Sequence, residues 1–266
     1  MKTNQTFIKR YVLLVFLLLT PLLSLAIPLF LSLPPELVPL IVATLPAVMA
    51  ISLAALTDGR KGIGALLRKL SRWRAGLKWY LIAVGVALVL RLTMSLLALL
   101  LGWISSIQFN DWSPAQYLII GIFTLIGALM EELGWRGYVL PRLLARRSAL
   151  GSALIIGIPW GVLHLGLILP GQMNAGTSWV GTILFTFGLS MILTWFFIQT
   201  QYGIVIGIVY HTAQNFFVFL NGGITSTESL WLMTAVTVVI AIILIIVYGT
   251  RLQRSSTNPF AIIDTR

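Results

Sequence analysis

Eight apolar runs, most of them close to 20 residues long, fill the greater part of this 266-residue chain. A helix needs about 20 mostly apolar residues to cross the hydrocarbon core of a bilayer. The runs cover residues 11–33, 36–57, 79–101, 117–141, 149–169, 178–200, 203–220 and 230–249. Hydrophobic residues make up 58% of the chain and charged residues 9%, whereas about one quarter of a soluble domain is charged. We therefore predict an all-α, polytopic membrane protein of about eight transmembrane helices, forming a single integral membrane domain over residues 1–266.

Lys and Arg occur in alternate loops between these runs. They lie in the N-terminal tail, in the segment 58–78, in the loop 142–148 and in the C-terminal tail, as Lys2, Lys9, Arg10, Arg60, Lys61, Arg68, Lys69, Arg72, Arg74, Lys78, Arg142, Arg146, Arg147, Arg251, Arg254 and Arg266. The intervening loops carry neither residue and hold Glu36, Asp111 and Glu228 instead. Because cytoplasmic loops are enriched in Lys and Arg, this pattern predicts that every basic loop and both termini are cytoplasmic.

Composition also limits the class of protein. The chain has no cysteine, which excludes disulfides, a thiolate nucleophile and cysteine metal ligands. Its net charge of +11 comes from loops where membrane topology accounts for it, so no nucleic-acid partner is predicted. The first apolar run is longer than the core of a signal peptide and is interpreted as a retained helix. The basic N-terminus and the lack of organelle signals favour a bacterial plasma membrane.

The basic segment 62–78 has two interpretations. Leucines and Trp73 recur near helical spacing between its Lys and Arg residues. This pattern predicts an amphipathic helix on the inner leaflet. The same residues are equally compatible with a solvated cytoplasmic loop.

Two adjacent glutamates lie within the fourth apolar run. A carboxylate at membrane depth costs about 2.5 kcal/mol or more, and the chain has only seven acidic residues. Glu132 and Arg136 are four residues apart, so they share a helix face and can pair. Glu131 lies about 100° around the helix and faces elsewhere. We expect one carboxylate to be held by Arg136 while the other faces a cavity; the alternative is a Glu–Arg pair that only locks helix packing.

The two histidines of the chain also fall in apolar runs. His164 follows Trp160 by one helical turn, and His211 precedes Asn215 by one turn. Alone, each His would more often be a packing residue that makes an interhelical hydrogen bond. At 1.5 Å per residue, however, Glu131 and both histidines lie at similar depth and can meet in one cavity. Such a set could activate water and stabilise an oxyanion. It could also bind a divalent metal such as zinc through Glu131, His164 and His211.

Three segments together resemble a known family. The pattern Glu131-Glu132-x-x-x-Arg136, the aromatic-x-x-x-His pattern from Trp160 to His164, and His211-x-x-x-Asn215 are similar to the three motifs of the CAAX protease and bacteriocin-processing (CPBP, also called Abi) family of intramembrane proteases, which includes type II CAAX prenyl endopeptidases. The resemblance covers a motif-bearing core of about residues 117–220. Trp160 stands where Phe is common, a substitution that keeps the aromatic ring.

The resemblance implies an intramembrane endopeptidase with a polar cavity that opens to the cytoplasm. In such an enzyme Glu131 and His164 would position and deprotonate water, His211 and Asn215 would stabilise the oxyanion, and Glu132 and Arg136 would support the site. The substrate would be a peptide or a lipidated protein associated with the bilayer, and the resemblance leaves open whether a metal takes part.

Two other functions fit an apolar chain with buried charges. A proton-coupled transporter also uses intramembrane Glu and His, but the inverted repeats typical of carriers are not evident in the sequence. A non-catalytic membrane scaffold or immunity protein could keep the fold without the chemistry. Arg91, inside the third run, fits a carrier charge, a counter-ion for either glutamate, or a structural contact with backbone carbonyls.

Overall fold

The computed structural model describes residues 2–31, 33–222 and 226–253. Arg254 and Arg266 of the predicted C-terminal tail lie outside the described residues, as do positions 223–225 of the polar segment before the last run. Nine α-helices form within the described part: α1 (Lys2–Phe30), α2 (Val38–Leu67), α3 (Leu77–Leu100), α4 (Pro114–Glu132), α5 (Leu140–Leu144), α6 (Ala149–His164), α7 (Trp179–Gln199), α8 (Val205–Leu220) and α9 (Ser226–Tyr248). Two-residue strands, β1 (Gln108–Phe109) and β2 (Asn221–Gly222), pair antiparallel. The all-α prediction is confirmed.

Seven helical segments of the described chain are long and apolar enough to cross a membrane: Tyr11–Phe30, Val38–Ser71, Leu77–Leu100, Pro114–Leu144, Ala149–Ile168, Trp179–Gln199 and Thr227–Tyr248. The protein is therefore an integral, polytopic membrane protein. The remaining predicted run, 203–220, forms α8, which has only 16 residues. A helix of that length rises about 24 Å, which is less than the roughly 30 Å of a hydrocarbon core.

Serine side chains fix where two of the site-bearing helices begin. Ser113 caps α4: its Oγ accepts from the Gln116 backbone N–H at 3.4 Å, and Gln116 Oε1 accepts from the Ser113 N–H at 2.8 Å. At α6, Ser148 Oγ accepts from the Gly151 N–H at 3.1 Å. Such caps satisfy amide donors that have no partner within the helix, so they set the register of the site residues further along α4 and α6.

Helix α7 lies at the centre of the bundle, where it packs against α6 and α9. Helix α8 packs against α3 and α4, while α2 packs against α1 and α4. The outer surfaces of α1, α3 and α9 carry exposed side chains such as Leu22, Leu81 and Ile246, as a lipid-facing surface requires. These contacts bring together α4, α6 and α8, the three helices that carry the motifs.

Two predicted helical segments differ from the structure. Helix α2 breaks at Gly59, whose φ is +62°, and the helical part of the basic segment ends at Ser71. The amphipathic helix predicted over 62–78 is therefore wrong for residues 72–76. The fourth run was predicted to be one helix over 117–141, but a π-helical segment, Leu133–Val139, separates α4 from α5. All seven π-helical residues are buried.

The helices end at two faces of the bundle. We call the face whose loops carry Lys and Arg residues the basic face, and the other one the opposite face. At the basic face, Arg72 Nη1 donates to the Gln201 carbonyl at 3.4 Å and Gln199 Nε2 donates to the Leu252 carbonyl at 2.9 Å. At the opposite face, strands β1 and β2 join the segments that follow α3 and α8. Of the described residues that connect helices at this opposite face, those of segments 33–37, 101–113, 165–178 and 221–222 include no Lys or Arg. In the described part of the chain, the loops with Lys and Arg and the loops without them thus lie at two different faces.

Close packing of α7 on α9 depends on Gly188. A Cβ built on Gly188 would lie 2.7 Å from Thr237 Oγ1 and 3.0 Å from the Thr237 carbonyl carbon. We predict that Gly188→Ala lowers the free energy of unfolding by about 1–3 kcal/mol, as overpacking of a filled interior does. The measurement is the thermal midpoint of the purified protein in detergent.

The matched control is Gly85→Ala, because a Cβ at Gly85 on α3 meets no atom within 4 Å. Its midpoint should stay constant or rise slightly, since Ala favours the helix over Gly. Equal midpoints for the two variants would contradict the close α7–α9 contact.

Candidate active site

The Glu132 carboxylate is the centre of a buried charged cluster. Its Oε1 accepts from Arg136 Nη1 at 3.1 Å and from His211 Nδ1 at 3.0 Å. Glu132 is 0% exposed, Arg136 1% and His211 3%. The pairing of Glu132 with Arg136, predicted from their spacing, is confirmed. The contact with His211 joins α4 to α8. Because its two residues lie on different helices, their spacing in the sequence does not predict it.

The π-helical segment carries Arg136 and thereby forms one wall of the cluster. A π-turn is wider than an α-turn and occurs frequently at functional sites. Gly134 permits this segment to approach α2, since a Cβ at Gly134 would lie 2.5 Å from the Pro46 carbonyl oxygen. The segment therefore packs tightly on α2 while Arg136 reaches inward to Glu132.

Trp160 connects the charged cluster to the second glutamate. Its indole Nε1–H donates to Glu131 Oε2, and the Arg136 guanidinium lies 4.4 Å from the centre of its ring. The rings of His164 and His211 lie edge-on to it, at centroid distances of 6.2 and 5.5 Å. Trp160 thus contacts four of the six predicted site residues.

The sequence places an aromatic residue one helical turn before His164, but its spacing does not indicate the hydrogen bond that Trp160 makes. The presence of a Trp in an apolar run predicts a nearby hydrogen-bond acceptor, because the indole N–H of a buried Trp usually needs one. Glu131, one helix away, provides this acceptor. The expectation that the two glutamates have separate surroundings agrees with the geometry, since Glu132 binds Arg136 and Glu131 binds Trp160.

The hydrogen bonds assign the protons of both histidines. His164 Nδ1 lies 2.8 Å from the Trp160 carbonyl oxygen, which can only accept, so Nδ1 carries the proton. His211 Nδ1 likewise donates to the Glu132 carboxylate. In each neutral ring Nε2 is then the nitrogen with a free lone pair. This atom is available to accept a proton or, once protonated, to donate one.

Two adjacent cavities are lined by the predicted site residues. One, of about 210 Å³, lies between α2, α4 and α6, and its wall includes Glu131, His164 and Asn215. The other, of about 230 Å³, lies between α7, α8 and α9, and its wall includes His164, His211 and Asn215. His164 and Asn215 line both. The four residues predicted to be catalytic therefore line two neighbouring cavities, which we call the two branches of the site.

Both branches combine apolar and polar groups in their walls. The branch beside α2 and α4 includes Pro39, Val42, Phe123 and Leu167 together with Thr124. The branch beside α7 and α9 has hydroxyl groups from Thr177, Thr182, Thr186 and Ser229, together with apolar side chains such as Phe185 and Met233.

Both branches extend toward the opposite face of the bundle. Their outer walls contain Met173 and Asn174 from the segment after α6 and Ser229 from the start of α9. The expectations that the basic loops are cytoplasmic and that the cavity opens to the cytoplasm both stay predictions.

The three residues considered as zinc ligands do not form a metal-binding group in this geometry. Among the described residues, no set of three or more His, Asp or Glu side chains is grouped as a metal site requires. We therefore derive no chemical step through a metal ion.

Arg91 contacts the backbone of the site helix. It is 6% exposed, and its Nη2 lies 3.5 Å from the carbonyl oxygen of Val218 on α8. Of the roles that the sequence left open, this contact agrees with the structural one, since it ties α3 to α8.

Comparison with known proteins agrees with the motif assignment. Residues 110–217 match the family described as Type II CAAX prenyl endopeptidase Rce1-like. The chain is 30% identical over 151 residues to the CAAX prenyl protease 2 of Methanococcus maripaludis, in an alignment that covers 50% of this chain and 54% of the relative. The chain thus spans about half the length of that curated relative. The resemblance to type II CAAX prenyl endopeptidases is confirmed, and the matched segment contains all six predicted site residues.

Proposed function

We propose that this protein is an intramembrane endopeptidase that hydrolyses a peptide bond of a membrane-associated substrate, either a prenylated CAAX-type protein or a peptide precursor. The observation that carries the proposal is the placement of Glu131, His164, His211 and Asn215 in the walls of two adjacent cavities that share His164 and Asn215. The similarity to CAAX prenyl proteases supports the same reaction class.

Glu131 acts as the general base in this mechanism. A water molecule between Glu131 and His164 gives a proton to the Glu131 carboxylate while its oxygen attacks the scissile carbonyl carbon. His164 orients the water through Nε2, since its Nδ1 is held by the Trp160 carbonyl. A positioned base of this kind contributes about 10²–10⁴-fold to a rate.

His211 and Asn215 stabilise the tetrahedral oxyanion. The Asn215 amide supplies N–H donors, and His211 donates from Nε2 when its ring is protonated. Glu132 and Arg136 hold the His211 ring in place through the Nδ1 hydrogen bond. Collapse of the intermediate breaks the C–N bond, and the proton taken up by Glu131 passes to the leaving amine. The products are a new carboxylate and a new amine.

Replacement of Glu131 by Gln should abolish this reaction. We predict that Glu131→Gln lowers turnover by at least about 100-fold, because the amide cannot take a proton from water. Purified protein in liposomes is incubated with prenylated and unprenylated peptides, with and without a chelator, and products are read by mass spectrometry. Loss of cleavage with chelator would show that a divalent ion such as zinc takes part.

The matched control is Asp111→Asn, the same change of carboxylate to amide at an exposed residue. It should cleave at the wild-type rate. Unchanged cleavage by Glu131→Gln would refute the assigned base. If the wild type cleaves none of the peptides, the protein fits the scaffold interpretation better than an enzyme with this substrate class.

The hydrogen bond from Trp160 should position Glu131 for catalysis. We predict that Trp160→Phe lowers kcat by about one to two orders of magnitude with little change in KM, because a hydrogen bond to a charged group contributes roughly 1.5–3 kcal/mol. The ring and its packing on both histidines are kept. Steady-state kinetics and the thermal midpoint are measured together, so that loss of structure is separated from loss of positioning.

The control for this variant is Trp135→Phe. Trp135 is equally buried and next to Trp160, and its Nε1 has no hydrogen-bond partner in the described part of the chain. We expect kcat to be retained. A kcat loss of the same size in both variants would assign the effect to packing instead of to the Glu131 hydrogen bond.

Removal of Arg136 should destabilise the fold as well as the site. Arg136→Met leaves the Glu132 carboxylate buried without its cation, and breaking a buried pair typically costs about 3–5 kcal/mol. We predict a large fall of the thermal midpoint, which the double variant Glu132→Gln/Arg136→Met partly restores. Additive losses in the double variant would contradict a direct energetic coupling between the two side chains.

A further inference from the structure

A separate cavity lies at the basic face, between the end of α2, the π-helical segment and α5. Its volume is about 410 Å³, which falls within the range of about 300–1,000 Å³ that is usual for small-ligand sites. Of the described residues in its wall, none is one of the six predicted site residues. The cavity is therefore distinct from the two branches of the candidate active site.

The wall of this cavity carries an excess of positive charge. One carboxylate, that of Asp58, is present together with four cations, which belong to Lys61, Arg68, Lys69 and Arg142. The Asp58 carboxylate accepts a hydrogen bond from Thr57 Oγ1 at 2.9 Å. Because the cations outnumber the carboxylate, an anion in this space would gain a favourable Coulomb energy.

Two of these cations are held in place by the π-helical segment. Lys69 Nζ donates to the Gly137 carbonyl, and Arg142 Nη1 donates to the Tyr138 carbonyl at 2.8 Å. The Arg142 guanidinium also lies 3.7 Å from the centre of the Tyr138 ring. Since Gly137 and Tyr138 are consecutive, two cations from distant parts of the sequence are fixed side by side. An ammonium has three N–H donors and a guanidinium five, so both groups keep donors for a ligand.

The cavity lies at the depth of the lipid headgroups. The segment Val38–Ser71 has 34 residues, whereas about 20 residues suffice to cross the hydrocarbon core. The backbone of α2 departs from helical geometry at Gly59, whose φ is +62°, which is about 20 residues after Val38. Lys61 and Arg68 follow this break, and Leu67 beside them has an exposed side chain. The cations of the wall therefore reach the level of the phosphates in the leaflet at the basic face.

We propose that this cavity is a binding site for an anionic phosphate group, carried by a phospholipid headgroup or free in solution. Lys and Arg form strong, charge-assisted hydrogen bonds with phosphate oxygens, and basic pockets between transmembrane helices bind anionic lipid headgroups. Phosphate in this cavity links the end of α2 to α5, because its ligands come from both elements. It stabilises the folded chain, and the inference does not depend on the proposed endopeptidase function.

Thermal midpoints in a non-ionic detergent test this site. Purified, delipidated protein receives dioctanoyl phosphatidylglycerol, dioctanoyl phosphatidylcholine or inorganic phosphate at equal ionic strength. A ligand that binds only the folded state should raise the midpoint by roughly 5 °C or more when its concentration is about 100-fold above its dissociation constant. We expect this shift with phosphatidylglycerol and none with phosphatidylcholine, whose choline group neutralises the phosphate charge.

The probes also distinguish the two sources of phosphate. A shift with phosphatidylglycerol but not with inorganic phosphate would assign the site to a lipid headgroup. A shift with inorganic phosphate alone would assign it to free phosphate. Equal shifts with phosphatidylglycerol and phosphatidylcholine, or no shift with either phosphatidylglycerol or inorganic phosphate, would overturn the proposal.

Two matched double variants locate the binding. Lys61→Gln/Arg68→Gln removes two exposed cations from the cavity wall. Arg74→Gln/Lys78→Gln removes two exposed cations of the basic face that lie outside the cavity. Both variants lose the same charge, so any general attraction of anions falls equally in the two. We expect the midpoint shift to be lost in the first variant and kept in the second, and equal shifts in both would overturn the proposal.

Native mass spectrometry gives a second measurement that does not depend on the stability of the variants. The number of phosphatidylglycerol molecules bound to each folded chain is counted for the wild type and for both double variants. We expect one bound lipid fewer on Lys61→Gln/Arg68→Gln than on the other two proteins. The same number on all three would contradict binding in this cavity.

Discussion

The buried contact of Glu132 with Arg136 and His211 is the interaction on which the rest of the structure depends. An uncompensated carboxylate at this depth would be expensive, and its partners come from the π-helical segment and from α8. The contact therefore fixes α8 against α4 and fixes the His211 ring at the same time. The capped start of α4 and the glycine contacts on α2 and α7 all serve to bring these groups to one depth. The contact of Glu132 with Arg136 and His211 therefore contributes both to the stability of the fold and to the geometry of the site.

Features that depend on spacing along one helix could be predicted from the sequence. The Glu132–Arg136 pair follows from a separation of four residues, and seven of the predicted spans follow from apolar length. The close approach of α6 to α7 follows from Gly157 and Gly161, where a Cβ would lie 2.9 Å from the Phe187 Cα and 2.8 Å from the Ile183 Cα. Each of these features depends on the spacing, hydrophobicity or size of residues within one helix, which can be read from the sequence.

Features that depend on contacts between helices could not be predicted in this way. The hydrogen bond from Trp160 to Glu131 joins residues 29 positions apart, and no periodicity indicates which acceptor an indole will reach. The π-helical segment also has no clear sequence signature, because Gly134 and Gly137 are compatible with a continuous transmembrane helix. The roles assigned to Glu131, His164, His211 and Asn215 stay predictions.

The short length of α8 has a consequence for the membrane around the site. At 16 residues it falls about four residues short of a full span, yet it carries His211 and Asn215 and packs among α3, α4 and α7. The missing length of α8 therefore lies inside the protein, where lipid tails cannot fill it. The proposed hydrolysis would therefore take place closer to bulk water than the middle of a full-length span would allow.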